Sequence, residues 1–259
     1  MINVRTNDEL EIMAEGGRII SPIKDELKKL IIPGAIPKDI DKVAEELILK
    51  AGGEPSFKKV KGYDWTTCIN VNEGVVHGIP NSIPFKEGDI VKLDIGIFYK
   101  GFHNDTAFTV GVGEISGKNK DFLDAGRQAL KNSIKKAVAG AHVAEISKIM
   151  DETLTKRGYT PVRDLTGHGV GKNLHEEPQI PCYWEGDTGN SQVIPKGATL
   201  AIEVIYTQGA PELVLSSDDG WTISTKDGKI AALFEETIAV TDGLPLVLSS
   251  PGFKLNEPC

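Results

Sequence analysis

Twice in this chain a charged turn ending in glycine leads, at the sixth residue after that glycine, to a single acid inside an apolar run. Lys86-Glu87-Gly88 leads to Asp94, and Pro195-Lys196-Gly197 leads to Glu203. Each stretch follows two helical segments and a histidine beside glycine: His77-Gly78 in the first half, His168-Gly169 in the second. An internal repeat of this length predicts a pseudo-twofold molecule with its site between the halves. The 259 residues suit one large domain or two small ones. We read it as a single domain over residues 1–250, with pseudo-repeats of about 1–115 and 116–250 and a tail at 251–259.

The first acid lies in a hairpin, Asp89 to Thr109. Two apolar runs rich in β-formers, Ile90–Phe98 and Phe102–Val110, are joined by Tyr99-Lys100-Gly101. Folding back there sets Asp94 opposite Asp105 to within a residue. Side chains so opposed sit roughly 5 Å apart at Cβ. Two such carboxylates persist if they share a proton or a cation; otherwise one of them faces solvent. Glu203, in Leu200-Ala201-Ile202-Glu203-Val204-Ile205, and Glu235, in Leu233-Phe234-Glu235-Glu236-Thr237, are further acids in apolar strands. A buried lone Glu is unfavourable unless paired or coordinated. His168 lies between two glycines, in a segment read as a loop too flexible to be chosen for packing. A phosphate loop is excluded there, because the Lys-Ser/Thr pair is missing and nearby acids would repel a phosphate. His175 stands in Leu174-His175-Glu176-Glu177-Pro178, which is not the H-E-x-x-H zinc helix, since position 179 is Gln. His103 and His142 are read as surface or capping residues.

Helices are predicted from an Asn7 or Asp8 cap to about Leu30, over Pro37–Ala51, over about 118–139 and over Val143–Arg157. Strands are predicted at Cys68–Asn72, Thr199–Tyr206 and Leu233–Val240, with residues 54–86 otherwise irregular. Net charge is −8 with no long basic run, so neither nucleic acid nor an anionic membrane is indicated as a partner. The start shows no signal peptide, and no stretch is apolar enough to span a bilayer. The three cysteines, Cys68, Cys182 and Cys259, are scattered, which fits a reducing compartment and a cytoplasmic location.

These segments together closely resemble the type I methionine aminopeptidases, peptidases of the pita-bread fold. The matching stretches are Val76-His77-Gly78-Ile79-Pro80, Leu93-Asp94-Ile95-Gly96, Gly101-Phe102-His103-Asn104-Asp105-Thr106, Gly167-His168-Gly169-Val170-Gly171, His175-Glu176-Glu177-Pro178, Asp219-Gly220-Trp221-Thr222 and Phe234-Glu235-Glu236-Thr237. They cover about residues 2–248. The resemblance implies an α+β pita-bread fold: two helix-helix-strand halves, an antiparallel sheet and a central dinuclear metal site. It implies Asp94, Asp105, His168, Glu203 and Glu235 as ligands of two divalent ions, with Asp105 and Glu235 bridging. Oxygen ligands with one imidazole suit Co, Mn, Fe(II) or Zn without choosing among them.

The implied reaction is removal of the N-terminal methionine from nascent proteins and peptides by a hydroxide bridging the metals, attacking the first peptide bond. Glu203 would carry the proton. His175 would hydrogen-bond the scissile carbonyl oxygen, and His77 would contact the amide nitrogen of the leaving residue. Tyr63, Cys68 and Trp221, with Leu174 beside His175, would line the methionine pocket. The resemblance also implies a small second residue in the substrate, so this chain, beginning Met1-Ile2, would keep its own Met1. Nascent N-termini are the expected partners, ribosome contact is left open, and a monomer is expected. Val204 departs from the family's usual Pro after the catalytic Glu, but its β-forming neighbours predict that Glu203 keeps its aim. Two alternatives stay open: a proline-specific peptidase of the same fold, and a non-catalytic binding protein of that fold.

Overall fold

The computed structural model describes residues 1–256; Cys259 and the end of the expected tail lie outside them. Four helices and a mostly antiparallel set of strands follow the repeat. The first half holds α1 (Asn7–Leu30), α2 (Pro37–Lys50), β1 (Glu54–Pro55), β2 (Thr67–Val71), β3 (Gly74–Val76), β4 (Ile90–Tyr99) and β5 (Phe102–Gly111). The second holds α3 (Gly117–Lys136), α4 (Val143–Thr155), β6 (Thr160–Pro161), β7 (Thr166–Gly169), β8 (Glu176–Pro181), β9 (Thr199–Thr207), β10 (Leu213–Leu215), β11 (Ile223–Thr225), β12 (Ala231–Ala239) and β13 (Leu246–Val247). The main sheet runs β1–β4–β5–β12–β9–β7–β8, with β2 on β4, β6 on β9 and β13 on β12; β10, β11 and β3 form a small second sheet. Around the central β5–β12 pair the order is palindromic. On each side an inner strand carries one acid and an outer strand carries the acid that follows the glycine turn.

The two repeated turns have the same backbone. Gly88 has φ +86° and Gly197 φ +82°, a region that L side chains avoid. Each turn launches a strand whose alternate residues face opposite ways. Leu93, Ile95 and Ile97 of β4 join Ile20, Ile23 and Leu27 of α1 and Ile40, Ala44 and Ile48 of α2 in one apolar cluster. Ile202, Val204 and Tyr206 of β9 join Phe122, Leu130 and Ile134 of α3 and Ile146, Met150 and Leu154 of α4 in another. The helices thus cover one face of the sheet, and the residues in between (Asp94 and Gly96, Ala201 and Glu203) line the other.

Local details refine the sequence reading. The cap of α1 is Thr6 rather than Asn7 or Asp8: its hydroxyl accepts from Glu9 N, and Glu9 reaches back to the Thr6 N–H. His142 does cap α4. His103 is buried instead of exposed, with Nδ1 2.9 Å from Ser56 Oγ. The hairpin turns on the two residues Lys100 (φ +47°) and Gly101 (φ +91°), and Tyr99 pairs with Phe102. That register pairs Asp94 with Ala107 and Asp105 with Gly96, so the two aspartates are diagonal neighbours on one face rather than directly opposed. The Gly167-His168-Gly169 stretch is not a loop but the strand β7. Its glycines are there for closeness. A Cβ at Gly167 would lie 2.6 Å from Ala201 O, and one at Gly169 would lie 2.2 Å from Glu177 O.

Candidate active site

Five adjacent strands, β4–β5–β12–β9–β7, each contribute one residue to a single face of the main sheet. One row across them reads Asp94, Ala107, Glu235 and Glu203. The next contains Gly96, Asp105, Thr237, Ala201 and His168. Residues two apart on a strand share a face, so all five candidate ligands point the same way. The positions between them are small or hold a hydroxyl, which leaves a hollow. Thr237 helps fix that geometry: its hydroxyl accepts from Asp105 N at 2.9 Å and donates to Asp105 O at 2.8 Å.

The donor set fits a cation. Ligand atoms of Asp105, His168 and Glu235 lie within 4.8 Å of one another, all three buried. His168 Nε2 is 3.4 Å from Glu203 Oε1. His168 Nδ1 lies 2.9 Å from Gly169 O. A carbonyl only accepts, so Nδ1 carries the proton and Nε2 turns its lone pair into the hollow. Burial pushes the His168 pKa down to about 4, keeping the ring neutral. Burial first, then mutual repulsion, drives Asp94, Glu203 and Glu235 well above the usual carboxylate range, and burial takes Asp105 up to about 7. Asp94 Oδ1 and Glu235 Oε1 are buried with no hydrogen-bond partner. Orphaned carboxylate oxygens buried in one cluster of acids are strongly unfavourable without positive charge nearby.

A cavity of about 130 Å³ is lined by the four acids and His168 together with Tyr63, Cys68, His77, Leu174, His175 and Trp221. Every residue singled out from the sequence as ligand, proton carrier or pocket wall therefore borders one space. Register explains the join: Cys68 pairs directly with Asp94 across β2 and β4. The Tyr63 hydroxyl donates to Thr67 O at 2.9 Å, and its ring meets Trp221 edge-on with centroids 5.1 Å apart. Trp221 is set by an Asp219 turn, whose Oδ1 accepts from Trp221 N and Thr222 N at 2.8 Å each. Phe57 and Val60 also line the cavity, and the sequence reading missed them. They sit in an irregular stretch whose one short helical turn, Phe57–Lys59, leaves no periodic signal. His77 and His175 stand where this cavity meets an open groove of about 500 Å³ that also touches Thr166, Gln179 and Ile205.

Comparison with known proteins identifies the family. Residues 11–242 match the metallopeptidase family M24. The chain belongs to that family. It is 41% identical to methionine aminopeptidase 1 of Bacillus subtilis, over 93% of this chain and 96% of that protein. It is 36% identical to a methionine aminopeptidase of Clostridium perfringens, over 96% of this chain and 99% of the other. The crystal structure of a Thermotoga maritima methionine aminopeptidase superposes with a TM-score of 0.93 at 39% identity, covering 96% of this chain and 100% of that one. A prolidase from Pyrococcus furiosus shares the fold alone: TM-score 0.77, 22% identity, 95% of this chain and 65% of that one. The proline-peptidase alternative is therefore not favoured. The family is metal-dependent, in keeping with the buried acid and histidine cluster.

Proposed function

We propose that the five-strand cluster is the hydrolytic centre with which this metalloaminopeptidase removes N-terminal methionine. The observation that carries the reading is the face-sharing set Asp94, Asp105, Glu235, Glu203 and His168, with two buried carboxylate oxygens left without partners. These five would hold two divalent cations, drawn from Co, Mn, Fe(II) or Zn. The strand order, with Asp105 and Glu235 on the two central strands, supports a bridging part for those two. When bound, the cations would supply Lewis acidity and a water acidified to near neutral pH.

The chain's own residues do the rest. Glu203 sits partly open between the hollow and the groove, and carries a proton from the attacking water to the leaving amine. His175 is exposed in the groove, and the protein crowded around it lowers its pKa, so the neutral ring donates a hydrogen bond to the scissile carbonyl oxygen. His77 contacts the amide of the second residue from the other lip. Tyr63, Cys68, Leu174 and Trp221 enclose the methionine side chain beside Asp94, and bury it without a charge. A small second residue sits where cavity and groove meet, and the groove takes the chain beyond it.

Residues 1–250 act as one catalytic unit. We place the protein in the cytoplasm, acting as a monomer on the N-termini of nascent polypeptides; no helix among the described residues is long and apolar enough to cross a membrane. Metal content and methionine release from a Met-Ala-Ser peptide test the whole reading. Two metals and free methionine are expected. Full turnover in metal-stripped protein would overturn it, and so would metal binding with no release.

A further inference from the structure

His175 reaches the groove unsupported. Among the described residues nothing hydrogen-bonds its imidazole; its ring neighbour is His168, edge-on with centroids 4.5 Å apart. The place of the ring is set by its backbone, and the residue that anchors that backbone is the next one. The Glu176 carboxylate accepts from Asn173 N at 3.0 Å, from Asn3 Nδ2 at 2.7 Å and from the Arg5 guanidinium. Asn173 closes the loop locally. Asn3 and Arg5 come from the far end of the sequence. Both partners of the Arg5–Glu176 pair are buried, with side chains 5% and 4% exposed.

Arg5 is itself fastened to the strand that carries Glu203. Its backbone N donates to Gly197 O at 2.9 Å, Val4 bridges to Ala198, and its Nε donates to Thr199 Oγ1 at 3.3 Å. The guanidinium therefore spans from the start of β9 to Glu176, the residue directly after His175. The glycine motif is cut to fit it: a Cβ on Gly171 would lie 1.9 Å from Arg5 Nη2. A buried ion pair contributes little net stability against well-packed apolar residues, but its directional bonds fix one geometry.

We infer that Arg5, acting through Glu176, is a positioning residue that holds His175 at a set distance from the Glu203 strand. The inference rests on the reading of His175 as the group that meets the scissile carbonyl. The N-terminal arm is then part of the catalytic apparatus, although it touches neither substrate nor ligands.

A double-mutant cycle in the metal-loaded enzyme tests this, with kcat, KM and melting temperature measured on Met-Ala-Ser. Arg5→Ala should lower kcat by on the order of 10- to 100-fold, as expected for a misplaced group, with KM and metal content nearly unchanged. In the His175→Ala background the same substitution should leave kcat where it was, while the fall in melting temperature persists. Arg5→Lys, which keeps the charge but loses the fork, should recover part of kcat. Should Arg5→Ala fail to fold, Asn3→Ala removes another donor to Glu176 from the surface side, and should give a smaller fall that again vanishes without His175. Equal loss of kcat in both backgrounds, or wild-type kcat in Arg5→Ala, would overturn the inference while leaving His175 its role. A His175→Ala enzyme with normal turnover would instead sink the reading of His175, and this inference with it.

Discussion

Glu235 and Glu236 are neighbours on one strand, both buried, and they are treated in opposite ways. Glu236 points to the helix face. There Lys24 of α1 donates to Glu236 Oε1 at 2.8 Å, to Thr106 Oγ1 at 2.8 Å and to Ser250 Oγ at 2.7 Å, and the Ser249 hydroxyl also meets the carboxylate. Glu235 points to the other face, among three more carboxylates, with Oε1 unpartnered and its pKa driven up. Asp105 and Thr106 repeat the contrast on β5. One face is electrostatically complete from the chain's own groups. The other is left with unpartnered, mutually repelling carboxylates, and that difference separates a structural acid from a candidate ligand.

The sharpest way to break the comparison is to neutralise one acid at a time. Glu235→Gln should take turnover to background and lower metal content, while leaving the metal-free protein as stable as the parent or more so, because repulsion is relieved. Retained activity would remove Glu235 from the ligand set. Glu236→Gln should do the reverse: metal stoichiometry unchanged, stability down by about 3–5 kcal/mol in denaturant titration, because Lys24 is left buried without its counter-charge. His175→Ala lies outside both networks and should lower kcat by on the order of 10²–10³ with metal content intact. A mutant with normal kcat would count against its place at the carbonyl.

Acidity sharpens the contrast further. In the metal-free protein Asp105 is raised from 3.8 to about 7. Between those values the folded state holds more protons than the unfolded one, so stability falls as pH rises through that window. Asp94, Glu203 and Glu235 are raised too and act in the same direction. Melting of metal-stripped protein should show this decline, and metal loading should remove it. A flat profile without metal would mean the acids are not mutually strained.

The smallest effect is expected at Val204. Thr109 Oγ1 donates to Leu233 O and accepts from Leu233 N, and Thr106 Oγ1 donates to Glu235 O. Odd-numbered residues of β12 therefore turn their backbone groups toward β5, and even-numbered ones toward β9. Phe234 pairs with Val204 in an unbroken ladder of nine pairs. The Val204 N–H thus belongs to the ladder, and the sheet does what a proline ring would do for Glu203. Val204→Pro should lose that bond for about 1–3 kcal/mol and keep its metals. A gain in metal affinity would show that valine weakens the site.

The residue types, the glycine-turn repeat and the apolar alternation were enough to read two halves and an acid-bearing hairpin from sequence alone, while the candidate ligand set came from the family resemblance. These are local properties: a strand's period and a turn's need for positive φ are written in a few consecutive residues. Register was not legible to one residue, because alternation fixes which face a side chain takes but not which partner it meets, so Asp94 and Asp105 came out diagonal. Nor was β7 legible as a strand, since the closeness that demands Gly167 and Gly169 exists only once β9 and β8 lie against it. The opposite fates of Glu235 and Glu236 were decided by Lys24, which is brought from α1 by tertiary packing. The hold of Arg5 on Glu176 joins residues 171 positions apart, which no local pattern encodes.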